Sequence, residues 1–475
     1  MPFKMTRIIA TLGPASAGKA TITRLVKAGV NVFRLNMSHG RYADLEQWIG
    51  WIRRVEKEQD TALGILIDLQ GPKIRVGKFE NGYLHLNTGD RLTFTTRRVT
   101  GGPGLVPVQF ADFAKSVKRG NRVYLNDGNL CVQVLRVRGQ DVEVKVEVGG
   151  VLSDFKGVNL PDAEIKSSPI TAKDKRDLKF GLKAGADYVG LSFVGSADDI
   201  HQLRRMIKRH KSRAHIIAKI ERKSAVACYK EIIEAADGVM VARGDLGIEI
   251  PLKQVPVIQR KILRECASKA KPAIVATQML ESMVEHNRPT RAEVSDVSTA
   301  VMEGADAVML SAETATGRHP VEAVKIMAET AREMEIYQAN HSRILHWSRF
   351  FKDDPPISLG IAYSANRLVE LLGGKALMVF TRTGGTARQV ASPRPNVPIF
   401  TFTDNLECAR RTALIRGTVP ILIKKKGSFM QDLSPFMQRV KETRLVKKGD
   451  RIILTTGVPL GVPQWTNVIR VEIVP

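Results

Sequence analysis

The stretch that decides the fold is ADGVMVARGD, residues 236–245, in which a short apolar run follows a turn and ends in charged residues. A Val- and Met-rich run without alternation is typical of a parallel strand covered on both faces. The small residues and glycine before it are typical of the turn that ends a helix. This stretch therefore predicts one unit of a helix followed by a parallel strand.

Seven more runs have the same character, and several share an Ala-Asp-x-Val pattern that indicates an internal repeat. They are RIIATLG (7–13), NVFRLNMSHG (31–40), LGILIDLQG (63–71), ADYVGLSFV (186–194), HIIAKIE (215–221), AIVATQM (273–279) and ADAVMLSAET (305–314). Amphipathic stretches fill the intervals as helices. Eight such units predict an α/β chain built on a (β/α)8 TIM barrel.

The repeat is interrupted once and ends before the chain does. Between residues 71 and 166 the pattern becomes alternating and rich in turns, which predicts an inserted antiparallel β-barrel domain that serves as a lid. The barrel is therefore expected in residues 1–70 and 167–340. Strands and helices alternate again in residues 341–475, which predicts a separate C-terminal α/β domain of helices and parallel strands.

Composition excludes several classes of protein. With 475 residues, 43% of them hydrophobic, the chain can bury large cores. Its four cysteines form no CxxC pair, so neither a disulfide framework nor a zinc site is indicated. The N-terminus lacks a signal-type apolar segment, and no apolar run reaches the roughly 20 residues of a membrane span. We therefore expect a cytoplasmic protein without a membrane partner.

The net charge of +25 raises the possibility of nucleic-acid binding. Nucleic-acid readers usually combine a basic stripe with stacking aromatics or a recognition motif. Here aromatic residues make up only 6% of the chain, and no such motif is found. The preferred interpretation is a basic surface that attracts polyphosphate substrates, and nucleic acid is not expected as a partner.

Polar residues recur where the apolar runs end, often two positions apart, a spacing that puts side chains on one face of a strand. They are Arg34, Asn36 and Ser38; Asp68 and Gln70; Lys219 and Glu221; Arg243 and Asp245; Thr277; and Ser311 and Glu313. In β/α barrels the active site lies at the carboxyl ends of the strands. The alternative, that all of them are solvated loop residues, would require the same coincidence on six runs.

Two carboxylates on successive predicted strands, Glu221 and Asp245, offer the hard oxygen ligands that Mg²⁺ prefers. Lys219 is expected beside them, where an ammonium group would stabilise the charge of a transferring phosphoryl group. The alternative is a plain salt bridge between Lys219 and Glu221. Because both interrupt an apolar run, the sequence favours metal and phosphate chemistry.

A second candidate site lies in the last domain. Residues Thr381, Arg382, Thr383, Gly384, Gly385 and Thr386 stand between a predicted strand and a helix. Hydroxyls, glycines and backbone N–H groups in that position can hold a phosphate. An ordinary capped turn remains the alternative.

Seven segments together resemble the pyruvate kinase family in their order along the chain. They are RLNMSHG (34–40), DLQGPKIR (68–75), KGVNLP (156–161), AKIE (218–221), MVARGDLG (240–247), ATQMLESM (276–283) and MLSAET (309–314). The resemblance covers essentially the whole chain. It implies a barrel, an inserted β lid, a C-terminal α/β domain and a homotetramer.

By this resemblance the chain transfers a phosphoryl group from phosphoenolpyruvate to ADP, giving pyruvate and ATP. Mg²⁺, for which Mn²⁺ is expected to substitute, is assigned to Glu221 and Asp245. Catalysis is assigned to Lys219, Arg34, Thr277 and Ser311, the last two in a proton relay. Further substrate contacts are assigned to Ser192, Ala242, Arg243, Gly244, Asp245 and Thr277, and nucleotide contacts to Asn36, His39, Arg75 and Lys156.

The sequence departs from the common family pattern at the monovalent-cation region, which the resemblance assigns to Asn36, Ser38, Asp68 and Leu69. Leu69, Gln70 and Lys73 resemble the potassium-independent subset, so K⁺ is not expected to be required. The Lys73 ammonium is expected to supply the missing charge. The loop at 381–386 resembles the family's effector-phosphate loop, so a sugar phosphate or AMP is expected to bind there.

Two rival interpretations remain from the sequence. One is a catalytically silent regulatory homologue, which the presence of Arg34, Lys219, Glu221, Asp245 and Thr277 disfavours. The other is a basic nucleic-acid-binding module. Assay of pyruvate formation separates both from the enzyme.

Overall fold

The structure is a computed structural model that describes residues 3–38, 40–163, 168–341, 356–423, 433–457 and 466–475. The chain begins with alternating strands and helices: β1 Arg7–Leu12, α1 Lys19–Ala28, β2 Val32–Asn36, α2 Tyr42–Glu58 and β3 Gly64–Asp68. Every residue of β1 and β3 is buried, as expected for parallel strands covered on both faces. The turn after α1 places Gly29 at φ 115°, a conformation that favours glycine.

After β3 the chain forms the inserted β domain. Its elements are β4 Tyr83–Leu86, β5 Arg91–Thr95, β6 Leu105–Pro107, α3 Phe113–Ser116, β7 Arg122–Leu125, β8 Leu130–Arg138, β9 Asp141–Val148, β10 Gly150–Ser153 and β11 Val158–Asn159. They make a six-stranded sheet, β11-β7-β8-β9-β5-β6, and a two-stranded sheet, β10-β4. All pairs are antiparallel except β5 with β6. The predicted boundary at residue 166 lies outside the described residues.

The chain then returns to the barrel. Its next elements are α4 Ala172–Lys183, β12 Tyr188–Leu191, α5 Ala197–Arg209, β13 His215–Ile220, α6 Lys223–Ala227, α7 Tyr229–Ala235, β14 Gly238–Ala242, α8 Arg243–Glu249, α9 Val255–Ser268, β15 Ala273–Ala276, α10 Arg291–Met302, β16 Ala307–Leu310, α11 Ala312–Ala315 and α12 Pro320–His341. Short 3₁₀ helices cover Leu252–Gln254 and Glu281–Val284.

Eight parallel strands close into a barrel in the order β1-β16-β15-β14-β13-β12-β3-β2. They are the eight apolar runs of the sequence, so the predicted barrel is confirmed. Each strand neighbours the next barrel strand along the chain, and β1 pairs with β16 to complete the ring. The carboxyl ends of all eight strands therefore meet at one opening, the barrel mouth.

The last domain is an α/β layer structure. Its elements are α13 Ile357–Leu372, β17 Ala376–Phe380, α14 Gly385–Ala391, β18 Ile399–Thr403, α15 Leu406–Thr412, β19 Thr418–Leu422, α16 Ser434–Glu442, β20 Arg451–Thr456 and β21 Val468–Ile473. The sheet order is β19-β18-β17-β20-β21. The prediction of parallel strands throughout was wrong for β21, which pairs antiparallel with β20. The sequence reading missed β19, whose Pro420 argues against a strand but is tolerated at a sheet edge.

The C-terminal domain covers the end of the barrel opposite the mouth. Arg394 makes two hydrogen bonds, of 2.9 and 2.8 Å, to the carboxylate of Asp306, just before β16. Arg410 pairs with Glu56 on α2 at 2.5 Å. These contacts lie at the base of the barrel. The inserted domain follows β3 along the chain, so it is connected to the barrel at the opposite end, the mouth. None of the described helices is long and apolar enough to span a membrane.

Candidate active site at the barrel mouth

Asp68, the last residue of β3, lies at the centre of the mouth and is 2% exposed. Arg34 on β2 donates from Nε to Asp68 Oδ2 at 2.7 Å, and its Nη2 lies 2.7 Å from the same oxygen. The Lys219 Nζ lies 3.3 Å from Asp68 Oδ1. These residues meet because β2, β3, β12 and β13 are consecutive in the barrel. The structure thus brings together one carboxylate and two cations.

Lys219 and Glu221 lie two positions apart, Lys219 in β13 and Glu221 directly after it, and both are buried. The Lys219 Nζ lies 2.9 Å from Glu221 Oε1 and donates to Ser192 Oγ at 2.7 Å. The backbone N–H of Phe193 donates to Glu221 Oε2 at 2.7 Å. Ser192 in turn donates to the Leu69 carbonyl at 2.7 Å. Lys219 therefore bridges two carboxylates, and its geometry is fixed by neighbours from β12.

The pKa values in this cluster follow from burial and neighbouring charge. Burial alone would raise the pKa of Asp68, but Lys219 and Arg34 outweigh it and leave that pKa below its ordinary value. Burial would lower the pKa of Lys219, yet Asp68 and Glu221 raise it well above its usual range. Lys219 is therefore a fixed cation near neutral pH and not a general base.

The pKa of Glu221 is raised, first by burial and further by the negative charge of Asp245, although Lys219 opposes the shift. Asp245 is half-buried and lies on α8. It makes no side-chain hydrogen bond or ion pair with another described residue. Two carboxylates that repel one another, one of them unpaired, suit a divalent cation between them.

The donor set fits Mg²⁺ in number as well as in kind. Among the described residues, no group of three or more His, Cys, Asp or Glu side chains is placed to hold a metal. Glu221 and Asp245 alone would supply two oxygen ligands. Mg²⁺ usually keeps several waters and binds through one or two carboxylates together with substrate phosphates. A closed structural metal site would require more protein ligands than this mouth provides.

Two predicted pairings at the strand ends were wrong. The sequence reading put Arg243 with Asp245, and Ser311 with Glu313, on common strand faces. β14 ends at Ala242 and β16 at Leu310, and each next residue begins or caps a short helix. Residues two apart on a helix point in different directions, because the helix turns about 100° per residue.

Arg243 braces the loop that carries Thr277. Its Nη1 donates to Asp296 at 2.6 Å, and its Nη2 donates to the Thr277 carbonyl at 2.7 Å. The N–H of Gly244, the residue after Arg243, donates to Thr277 Oγ1 at 2.8 Å. Thr277 has φ 70°, a left-handed conformation that is costly for a β-branched residue. These bonds hold the strained threonine in the mouth.

Glu313 is 1% exposed and serves the backbone of two barrel loops. It accepts hydrogen bonds from the N–H of Ser311 at 2.6 Å and of Leu280 at 3.1 Å. The Ser311 hydroxyl makes no hydrogen bond with another described residue. The structure does not bring Ser311 into contact with the cluster around Asp68.

The residues expected to bind the monovalent cation and the nucleotide are spread along the β2 and β3 loops and the inserted domain. Asn36 Oδ1 accepts from the Ser38 N–H at 3.1 Å, and Leu69 is buried. Arg75 Nη1 donates to the Phe155 carbonyl at 2.8 Å, and the Lys156 carbonyl accepts from the Val76 N–H at 3.0 Å. His39 lies outside the described residues.

Lys73 is not part of the Asp68 cluster. Its side chain packs beside Gly157 of the inserted domain, and it makes no ion pair with another described residue. Asp68 is paired with Arg34 and Lys219 instead.

The C-terminal loop at 381–386 lies far along the chain from the mouth, at the start of α14. Thr381 Oγ1 accepts from the Gly384 N–H at 3.0 Å, and Gly384 has φ 88°. The hydroxyls of Thr386 and Thr466 share a hydrogen bond of 2.8 Å. Arg382 and Thr383 are exposed. The loop thus contains a self-closed turn and an exposed cationic tip.

Sequence reasoning missed several residues of the mouth. Thr11 accepts from Arg34 Nη1 at 3.1 Å, and its position as a hydroxyl inside a buried run was a usable signal. Phe193 has φ 56°, a left-handed backbone conformation that its residue type does not predict. The Arg222 guanidinium lies 5.2 Å from the Phe193 ring centroid. Burial raises the pKa of nearby Glu249 to about 7, so its charge changes near neutral pH.

A closed (β/α)8 barrel whose mouth holds fixed cations beside two carboxylates able to bind a divalent cation defines a class of barrel enzyme suited to phosphoryl transfer. Family models agree with this class. The model "Pyruvate kinase, barrel domain" matches residues 3–324, and "Pyruvate kinase, alpha/beta domain" matches residues 360–472. The chain therefore belongs to the pyruvate kinase family and is a phosphotransferase.

Individual relatives match over nearly the full chain. Pyruvate kinase 2 of Synechocystis sp. is 41% identical, covering 99% of this chain and 79% of that protein. The pyruvate kinase of Thermotoga maritima is 37% identical, covering 98% of this chain and 99% of the relative. A crystal structure of a Cryptosporidium parvum pyruvate kinase superposes with a TM-score of 0.92 at 32% identity, covering 99% of this chain and 96% of that one.

We predict that Gly71→Ala impairs the site through Phe193. Gly71 has φ +68°, and a Cβ there would lie 2.8 Å from Phe193 Cδ2 and 3.3 Å from Ser192 Cβ. The ring must move, and with it the N–H that holds Glu221. Displacements of about 1 Å at an active site cost up to about a hundredfold in rate, so kcat for pyruvate formation should fall by about ten- to a hundredfold.

Gly104→Ala is the matched control for this prediction. Gly104 has φ +77°, with nothing within 4 Å of an added Cβ, so it carries similar backbone strain without the clash. That strain costs about 1–2 kcal/mol of stability in either variant. Equal kcat values for the two variants would show that Phe193 does not position Glu221.

Proposed function

We propose that the barrel mouth transfers the phosphoryl group of phosphoenolpyruvate to ADP with the help of Mg²⁺. The P–O bond of phosphoenolpyruvate breaks and a P–O bond to the β-phosphate of ADP forms. Enolpyruvate then takes up a proton and becomes pyruvate. The observation that carries the proposal is the buried Lys219, held 2.9 Å from Glu221 and 3.3 Å from Asp68 beside the charge of Asp245.

Glu221 and Asp245 are the residues that would hold Mg²⁺, or Mn²⁺ in its place. The bound ion supplies positive charge to phosphate and carboxylate oxygens and relieves the repulsion that raises the pKa of Glu221. Phe193 keeps one oxygen of Glu221 engaged at 2.7 Å and so fixes the direction of the carboxylate. A ligand oriented in advance binds the ion with less loss of entropy.

Lys219 and Arg34 act on the transferring phosphoryl group. Its negative charge is stabilised by preorganised cations, because the protein does little covalent chemistry in this reaction. Arg34 is oriented from two sides, by Asp68 at 2.7 Å and by Thr11 at 3.1 Å. Ser192 fixes Lys219 in the same way, at 2.7 Å. Neither cation has to reorganise when substrate binds.

The substrate carboxylate is assigned to the segment from Ala242 through Arg243 and Gly244 to Asp245. The mouth-facing hydroxyl of Thr277 is anchored on Gly244 at 2.8 Å, so it can contact the same substrate. We assign Thr277 and Ser311 to a proton relay to enolpyruvate through water. The Arg243 N–H begins a helix and favours a negative group, whereas the Gly244 N–H is engaged by Thr277.

ADP is assigned to the side of the mouth that faces the inserted domain, with contacts from Asn36, His39, Arg75 and Lys156. Arg75 pairs with Gly157 across an isolated antiparallel bridge, so the two connections to the inserted domain run together. We propose that residues 71–166 close over the bound substrates as a lid, between barrel segments 1–70 and 167–340. Residues 341–475 would form the effector and subunit-contact domain.

Asp245→Asn should raise the Mg²⁺ concentration that gives half-maximal activity by at least about tenfold, because one of two carboxylate ligands is lost. The measurement is the initial rate of pyruvate formation in a coupled assay during Mg²⁺ titration. Glu234→Gln, which removes an exposed carboxylate paired with Lys269, is the matched control and should leave the titration unchanged. An unshifted midpoint for Asp245→Asn would exclude it as a ligand.

We also propose that the enzyme does not need K⁺. The support is the sequence at Leu69 and Gln70 and the Lys73 ammonium, which makes no ion pair with a described residue and is free to meet a bound phosphate. The expected rate is the same with KCl as with tetramethylammonium chloride at equal ionic strength. A severalfold rise with KCl would refute the assignment of Lys73.

The loop at 381–386 is proposed to bind the phosphate of an allosteric effector, either a sugar phosphate or AMP. The exposed Arg382 and Thr383 offer a cation and a hydroxyl. Thr386 is positioned by Thr466 at 2.8 Å from the neighbouring strand end. The self-closed turn at Thr381 leaves these groups available.

Thr386→Ala is expected to reduce the response to the activating effector by at least about fivefold in concentration, the scale of a typical allosteric coupling. Saturation curves for phosphoenolpyruvate with a sugar bisphosphate, a sugar monophosphate and AMP measure it. Thr383→Ala tests the exposed hydroxyl separately. Identical responses of wild type and both variants to all three compounds would contradict an effector site here.

A homotetramer in the cytoplasm is proposed from the resemblance. Exposed apolar side chains on the C-terminal domain support subunit contacts: Ile357 is 71% exposed, Leu371 72% and Ile473 64%. A silent regulatory homologue is disfavoured because the mouth retains Lys219 and Glu221 in contact. Assay of pyruvate formation with phosphoenolpyruvate, ADP and Mg²⁺ distinguishes the two.

A further inference from the structure

The outer surface of α4 carries four cations close together. Lys175, Arg176, Lys179 and Lys183 are all exposed. They are three or four residues apart in several pairs, so they repel one another along the helix. The two acids of α4, Asp174 and Asp177, are fully buried, and Asp177 is paired with Lys173, so neither carboxylate is exposed beside these cations.

The neighbouring helix α5 and the turn after it continue this surface. Arg205, Lys208, Arg209, Lys211 and Arg213 are exposed. α4 leads into β12 and α5 leaves it, so the two helices are adjacent on the barrel. We call these nine exposed cations of α4, α5 and the following turn the α4–α5 face.

The face lacks compensating charge. Within the described part of the chain, the ion pairs of these two helices are Lys173 with Asp177 and Arg204 with Asp237, and none of the nine exposed cations takes part in one. The exposed acid of α5, Asp198, lies in its first turn, away from the cations at the other end. Cations in the last turn interact favourably with the helix dipole, which accounts for Lys183, Lys208 and Arg209 but not for the other six.

Attraction of substrates to the mouth does not explain this charge. Both helices run antiparallel to the barrel strands, so their C-terminal ends, where most of the cations lie, are at the base. α5 has 13 residues and is about 20 Å long. Salt screens exposed charges beyond about 8–10 Å. The cations at the C-terminal ends therefore contribute little to the potential at the mouth, although Lys175 and Arg176, near the start of α4, lie closer to it.

The size and chemistry of the face fit a phosphodiester backbone. Two adjacent helices, about 20 Å long and about 10 Å apart, cover a length on which a duplex carries about 12 phosphates. No exposed large apolar side chain lies between residues 172 and 213, so the face offers neither a membrane-inserting group nor a stacking aromatic.

We propose that the α4–α5 face binds the backbone of double-stranded nucleic acid without sequence preference. Binding relieves the repulsion among the cations and releases counterions from the phosphates. Base contacts are not part of the interaction, because the face has no side chains suited to read or stack bases. The expectation from composition that nucleic acid is not a partner is thereby revised for this surface.

The test uses the full chain and a fluorescein-labelled RNA duplex of 16 base pairs, with binding followed by fluorescence anisotropy. The face variant combines Lys179→Gln, Lys183→Gln, Lys208→Gln and Arg209→Gln. The control variant combines Arg91→Gln, Arg98→Gln, Lys118→Gln and Arg119→Gln, four exposed cations of the inserted domain. Each removes four charges from the net +25.

The face variant should bind at least about tenfold more weakly at 0.1 M salt, and the slope of log affinity against log salt should fall by about 3. The control variant should stay within about twofold of wild type, and an unrelated duplex sequence should bind equally well. Both variants should keep the wild-type kcat and unfolding temperature, because all eight side chains are exposed and lie outside the mouth.

Four results would overturn the proposal. Equal losses in the two variants would assign the binding to net charge, and absence of salt-dependent binding by wild type would remove it. Binding of phosphatidylserine vesicles, but not the duplex, with the same dependence on the face variant would assign the surface to membranes. A drop in kcat or unfolding temperature of the face variant alone would attribute its loss of binding to misfolding.

Discussion

The buried carboxylate of Asp68 and the two cations that compensate it set the geometry of the mouth. A buried, unpaired carboxylate would be costly, so Arg34 and Lys219 must stay within ion-pair distance of it. This requirement aligns the ends of β2, β3 and β13. The same two cations are the ones that we propose act on the transferring phosphoryl group. The charge balance that the fold needs thus places the groups that the chemistry needs.

The barrel separates two electrostatic tasks between its ends. At the mouth, the cations donate hydrogen bonds to Ser192 and Thr11, and Glu221 accepts one from the Phe193 N–H. At the base, arginines of the C-terminal domain pair with acids of the barrel, as Arg394 does with Asp306. Fixed pairs at the base anchor the C-terminal domain, and the mouth leaves Asp245 without a partner among the residues that the structure describes.

The sequence predicted the repeated elements better than the loops. The eight barrel strands are covered on both faces, so each gives a mostly apolar run that the sequence shows directly. The number of these runs, eight, predicted the barrel. The directions of the Arg243 and Glu313 side chains were predicted wrongly. The prediction continued the alternation of a strand past its last residue, where a helix begins. Phe193 escaped notice because its role depends on a left-handed backbone and not on its side chain. The α4–α5 face could not be predicted, because the sequence does not tell which acidic residues of these helices are buried.

Closure of the barrel has a consequence for the order of synthesis. Arg7 of β1 pairs with Ala307 of β16, so the ring cannot be completed until that last strand has left the ribosome. Until then the unpaired edges of β1 and the strands beside it remain open to wrong partners. The inserted domain, whose strands pair locally between residues 83 and 159, can fold long before. A nascent chain of this kind is most exposed to aggregation in the interval between the two events.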